Sequence, residues 1–170
     1  QTLCLGPTGP GPTHEQPFVL FDEWITTRLQ FECDEARGEW ALRYFRSHGP
    51  ATVKDFTWWT QLKAADVKVA VAIATPQLET FVADGVTYYL DPETLAQLSP
   101  LRREARDVFL LPAFDEFLLG YQTRTAVLPT EFAGRIVPGG NGVFLPTVIS
   151  DGEVVGTWKR VGTGTKRVLA

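Results

Sequence analysis

Methionine is absent from this 170-residue chain, and cysteine, histidine and serine are scarce: Cys4 and Cys33, His14 and His48, Ser47, Ser99 and Ser150. Each scarcity excludes a class of function. Two cysteines cannot supply the disulfide framework of a small secreted domain. Together with the two histidines they lack the spacing of a zinc site, so no metal and no cofactor is expected. A Ser-His-Asp triad needs a positioned nucleophile. No Gly-x-Ser-x-Gly elbow is present, and Ser47 and His48, neighbours at a predicted helix end, are expected to diverge. No apolar run approaches the ~20 residues that span a bilayer, and no charged-then-apolar leader precedes the first segment. A chain that starts at Gln1 without methionine reads as part of a longer protein, and its cysteine usage fits the cytoplasm.

The charge that is present is unevenly spread. The net charge of −4 weighs against a nucleic-acid partner. Residues 1–39, however, hold seven acids (Glu15, Asp22, Glu23, Glu32, Asp34, Glu35, Glu39) against Arg28 and Arg37, a local charge of −5 that leaves +1 for the remainder. Basic residues cluster at Arg102, Arg103 and Arg106, and again at Lys159, Arg160, Lys166 and Arg167. Such clusters either attract phosphates or are ordinary solvated charges.

Along the chain, residues 6–13 (GPTGPGPT) cannot form helix or central strand, because proline lacks a donor and glycine costs backbone entropy. Residues 17–24 read as a short buried strand. Asp34 is a plausible N-cap for a helix that places Trp40, Leu42, Tyr44 and Phe45 on its apolar face and ends near Gly49-Pro50. Thr52 caps a second helix, with Asp55 completing a capping-box variant. A third runs from about Lys63 to Ala74. Residues 78–90 then alternate around Asp84-Gly85, a strong hairpin signal. Three short helices and a hairpin are the element order of a winged helix-turn-helix. A short helix is predicted at 93–98, a second hairpin around Asp151-Gly152, a last strand at 165–170, and an exposed glycine-rich loop at 134–142.

Chemistry-bearing motifs are few. Residues 162–166 (GTGTK) lack the spacing of a phosphate loop, and no helix follows, so they read as a turn. Asp22/Glu23 and Asp115/Glu116 are adjacent carboxylates; on a strand they would face opposite ways, which makes neither a dyad. Asp115 lies in an apolar run, where a carboxylate needs a partner, and Arg124 is the candidate for a structural ion pair. The third helix turns Ala65, Lys68, Val69 and Ala72 outward. That face lacks the Arg, Asn and Gln that read base edges, which favours phosphate-led, sequence-tolerant binding.

Three blocks, LRYFRSHGPATVKDFTWWTQL (42–62), LLPAFDEFLLGYQTRTAVL (110–128) and NGVFLPTVISDGEVVGTWKR (141–160), strongly resemble the bacterial winged-helix DNA-binding family that includes the AlkZ/YcaQ-type alkylpurine DNA glycosylases. The resemblance covers most of the chain after about residue 17. It implies the C-terminal portion of a protein about twice this length or more, with tandem winged helices and a barrel-like C-terminal region around a concave DNA-binding surface. It also implies excision of N-alkylated purines and unhooking of interstrand crosslinks by a Gln-x-Gln motif in the N-terminal half. Gln30-Phe31-Glu32 is only similar to that motif and is misplaced, so no catalytic residue is assigned. Trp58, Trp59, Asp115, Tyr121, Asn141 and Trp158 are the further residues to watch within these blocks, the two helical tryptophans as core.

The expectation is therefore an α+β chain: an N-terminal linker and strand (1–34), a winged helix-turn-helix (35–91) and a strand-rich, barrel-like C-terminal unit (92–170). Its expected partner is double-stranded DNA, met mainly at the phosphate backbone by Lys63, Lys68, Arg102, Arg103, Arg124, Lys159 and Arg160, with no membrane partner. The competing readings are a winged-helix transcriptional regulator and a protein-interaction scaffold.

Overall fold

The computed structural model describes residues 3–5, 18–27, 29–162 and 168–169. Backbone contacts divide the chain into two compact units, Gln1–Glu32 and Cys33–Ala170.

In the first unit, β1 (Leu3–Leu5) pairs antiparallel with β2 (Phe18–Leu20), Leu3 opposite Leu20. A single helical turn, α1 (Phe21–Trp24), follows. This corrects the strand expected over 17–24. Asp22 and Glu23 favour the first turn of a helix, where the backbone dipole is positive, and Phe18 and Trp24 are exposed. The proline- and glycine-rich stretch 6–13 lies outside the described residues.

The second unit opens with α2 (Cys33–His48), α3 (Val53–Thr60) and α4 (Ala64–Ala74). All three match the sequence pattern to within a residue or two, except that Asp34, expected as the N-cap, lies inside the first turn of α2, which begins at Cys33. α2 carries Asp34 and Glu35 in its first turn and Arg46 and His48 in its last, which complements its dipole. α3 starts with the expected capping box: the Thr52 side chain accepts from Asp55 N, and the Asp55 carboxylate accepts from Thr52 N at 2.9 Å. Ala41, Leu42, Tyr44 and Phe45 of α2 meet Phe56 of α3 and Val67, Ala70 and Ala74 of α4 in the main core. α2 packs against α4, and glycine permits a close approach: a Cβ on Gly38 would sit 2.3 Å from Ile73 Cγ2.

β3 (Glu79–Ala83) and β4 (Val86–Leu90) form the expected hairpin, Ala83 opposite Val86. Asp84 and Gly85 hold φ values of 50° and 74°, the left-handed pair that a two-residue turn requires. Ala51 and Tyr89 exchange backbone hydrogen bonds of 3.0 and 2.9 Å, fastening the hairpin base to the start of α3. The outer half of the hairpin is exposed, with Phe81 stacked on its cross-strand partner Tyr88.

Beyond it come α5 (Pro92–Gln97), capped by Asp91, and then β5 (Phe109–Leu111), α6 (Glu116–Leu119) and α7 (Thr130–Ile136). β6 (Thr147–Ser150) and β7 (Glu153–Thr157) make the second expected hairpin, its turn at Asp151 and Gly152 again left-handed. They join β5 in an antiparallel sheet of order β5-β6-β7. β8 (Arg160–Val161) pairs with β9 (Val168–Leu169), within the predicted last strand. Leu118, Leu128, Ile136, Phe144, Ile149 and Val154 form a second core. The molecule is mixed helix and strand, as expected, but the barrel is not found. Among the described residues no sheet exceeds three strands and none closes, because residues 112–146 form short helices and turns rather than the strands that closure needs. The predicted loop 134–142 is in part the last turn of α7, which buries Ile136.

Candidate nucleic-acid interface

A dense set of contacts holds residues 115–124 against α2 and α3. Asp55 is buried, yet all of its acceptor capacity is used: Oδ2 takes Thr52 N and Thr52 Oγ1 (2.9 and 2.7 Å), and Oδ1 takes Gln122 N and Thr123 N (2.9 and 3.4 Å). The Tyr44 hydroxyl donates to Gly120 O and the Tyr121 hydroxyl to His48 O, each at 2.7 Å. Burial, reinforced by the Asp55 charge, disfavours the phenolate and raises the pKa of both tyrosines, that of Tyr121 to about 12. His48 stacks on Tyr44, and its Nε2 lies 3.2 Å from Glu116 Oε2, which also accepts from Trp59 Nε1 at 3.1 Å. Gly120 allows this approach, since a Cβ there would lie 2.3 Å from His48 Cδ2.

Two sequence expectations fail here. Ser47 and His48 do not diverge: Ser47 Oγ is 2.8 Å from His48 Nδ1. The hydroxyl donates to Arg43 O at 2.8 Å, which tethers it to the end of the helix. Asp115 does not pair with Arg124. It stands at the N-cap of α6 and accepts from Phe117 N at 2.9 Å, so it needs no cation. The charge that acts on Arg124 is Asp55, which opposes the lowering of the Arg124 pKa by burial.

The cations fall into two groups. Arg37, Arg43, Arg46 and Arg106 form ion pairs with Asp66, Glu39, Asp91 and Asp151 at 2.9, 2.6, 3.4 and 3.0 Å. The seven residues nominated from sequence all belong to the other group: among the described residues none has a carboxylate at ion-pair distance. Lys63 is the N-cap of α4 and Lys68 lies on its exposed face. Arg102 and Arg103 stand exposed in the turns after α5. Lys159 and Arg160 share a cleft of about 690 Å³ with Pro146, Thr157 and Trp158. Trp158 itself is structural, its Nε1 donating to Leu111 O at 2.8 Å, and Asn141 folds its own loop by accepting from Val143 N. Lys166 and Arg167 lie outside the described residues.

Arg124 differs from the rest because it is half-buried. Its guanidinium lies 5.1 Å from the centre of the Trp58 ring and 5.0 Å from that of Phe144, and its Nε donates to Leu118 O. Two clefts open onto it. One, of about 850 Å³, runs from Thr52 and Lys54 past Tyr88 to Tyr121. The other, of about 570 Å³, is bounded by Trp58, Thr125, Thr130, Gly140, Gly142 and Phe144. Sequence reasoning missed Lys54, Thr125 and Thr130, which carry no local signal, and the second role of Asp55, which depends on partners 67 and 68 residues away. Among the described residues no cluster of three or more metal-ligating side chains occurs, and no helix is long and apolar enough to cross a membrane.

The chain is similar to DNA repair enzymes. An interstrand DNA cross-link repair glycosylase of Streptomyces sahachiroi is 28% identical over 136 residues, covering 76% of this chain and 36% of that protein. The solved structure of Streptomyces sahachiroi DNA glycosylase AlkZ superposes with a TM-score of 0.74 at 26% identity, covering 94% of this chain and 43% of that one. The chain thus spans less than half the length of either protein. The profile of the DNA glycosylase AlkZ-like family matches residues 2–170, and the chain belongs to that family.

Proposed function

We propose that this chain is the duplex-holding part of an AlkZ-like DNA glycosylase acting in the cytoplasm. In this reading α2, α3, α4 and the β3–β4 hairpin work as a winged helix-turn-helix over residues 35–91, followed by a C-terminal unit at 92–170 and preceded by a linker and strand at 1–34. Double-stranded DNA is gripped at its phosphates by Lys63, Lys68, Arg102, Arg103, Arg124, Lys159 and Arg160. The observation that carries the proposal is the coincidence of a DNA glycosylase family match over residues 2–170 with a set of cations that lack internal ion pairs. Cations already satisfied within the protein have little left for phosphate, whereas unpaired ones release counterions from DNA on binding.

The exposed face of α4 favours this over a sequence-reading regulator. Ala65, Lys68 and Ala72 face solvent there, and only the lysine can hydrogen-bond. The sequence contains no Gln-x-Gln triplet, so base excision is assigned to the parent protein rather than to these residues. Fluorescence anisotropy with a labelled 20-base-pair duplex tests the proposal. Binding is expected at low salt, with little preference among unrelated sequences. No binding at low salt, or strong selection of one sequence, would overturn it.

A further inference from the structure

Arg124 is unlike the other unpaired cations. A guanidinium stays charged inside a protein, and taking it out of water is costly unless acceptors replace the lost solvent. Here the replacement is incomplete. Of its five N–H donors, Nε is bound to Leu118 O, and no other acceptor is found for the side chain among the described residues. The rings of Trp58 and Phe144 hold the group and compensate part of its charge. The position lies where two clefts meet. Thr125 and Thr130, whose side chains carry hydroxyls, also line the smaller cleft. Its far wall is Gly140 and Gly142, both at positive φ, with nothing within 4 Å of where a Cβ would stand. Lys54 lines the larger cleft.

We infer that Arg124 is a preformed seat for one oxyanion, a single DNA backbone phosphodiester, received in the cleft between Trp58, Thr125, Thr130 and the Gly140–Gly142 wall. The inference rests on the DNA-binding proposal above and refines it: six of the cations attract the duplex diffusely, and one fixes its register. The partly desolvated fork offers a phosphate charge-assisted hydrogen bonds that surface lysines, competing with water, cannot match. Lysine would be a poor replacement, because a point charge lacks the planar fork that the two rings clamp.

The test is a scan of duplexes that each carry one neutral methylphosphonate, measured with the wild-type chain and with Arg124→Gln. The seat predicts one backbone position at which the neutral linkage weakens wild-type binding by about tenfold and has no further effect on the variant. Losses that add in the two, or no sensitive position at all while the unmodified duplex still binds, would overturn the seat and leave the general proposal standing. Absence of all duplex binding by the wild type would overturn both. If Arg124→Gln does not fold, arginine modification by a dicarbonyl reagent answers the question on the wild-type chain. Duplex should shield Arg124 more strongly than it shields Arg43, which is paired with Glu39. Equal reactivity of Arg124 with and without duplex would refute the seat. Inorganic phosphate at the same phosphate concentration is the remaining arm: weak shielding supports the phosphodiester, and shielding as complete as that by duplex would identify a free-anion site instead.

Discussion

The junction of α2 and α3 with residues 115–124 and the outer surface formed by the β3–β4 tip and residues 92–110 obey opposite rules. At the junction a buried carboxylate, two phenols, an imidazole and an indole all have assigned partners, within 2.7 to 3.4 Å. On the outer surface Phe81, Val82, Leu95, Leu98, Leu101 and Val108 are exposed, and Arg102 and Arg103 have no ion-pair partner among the described residues. Polar groups withdrawn from water must be satisfied within the fold, so the first region carries stability. Groups left in water are free for another molecule, and under the proposed function the second region contributes to binding. Arg124 lies at the junction, yet only its Nε has an acceptor among the described residues, which is why it stands out.

Substitutions can break or sharpen that contrast. Asp55→Ala removes the acceptor for Thr52, Gln122 and Thr123 together and is expected to cost about 3 kcal/mol in urea denaturation; a loss below about 1 kcal/mol would mean that the junction does not hold the unit together. Gly120→Ala forces a methyl group against His48 and Glu116 O. It should cost about 2 kcal/mol, read as a lower thermal midpoint.

Alkaline pH probes the same junction more gently. The phenol of Tyr121 titrates near 10 when unfolded and near 12 when folded. Over that interval the unfolded chain loses its proton first, so stability falls as pH rises from about 10 to about 12. Tyr121→Phe should flatten that decline, and an unchanged decline would remove Tyr121 from the account. The smallest effect on stability is expected for Lys159→Gln with Arg160→Gln, within about 0.5 kcal/mol of wild type. Duplex affinity should nevertheless fall in this variant, and the slope of its salt dependence should drop by roughly two. Unfolding of this surface variant would erase the distinction between the regions.

What the sequence revealed and what it hid follow the same division by distance. The Thr52–Asp55 capping box and both Asp-Gly turns depend on residues within four positions of one another, and each appears where the pattern predicts. The basic clusters at Arg102, Arg103 and Arg106 and at Lys159 and Arg160 can be seen in the sequence, whereas the pairing of Arg106 with Asp151 cannot. Asp55 to Gln122, His48 to Glu116 and Tyr44 to Gly120 were not, because they join positions 67 to 76 apart whose approach only the folded chain defines. The misassignment of Asp115 has the same origin. A carboxylate in an apolar run does need a partner, but a backbone N–H two residues on supplies it without any cation. The missing barrel shows that a strand-rich pattern fixes hairpins more readily than it fixes closure.

The most direct test of the account is the affinity of the chain for an undamaged duplex, measured across a series of salt concentrations. The proposal predicts a linear fall of log K with log salt, steep enough to reflect several neutralised phosphates, and a shallower slope whenever one of the seven nominated cations is neutralised. Binding that does not change with salt, or no binding at the lowest salt, would contradict it.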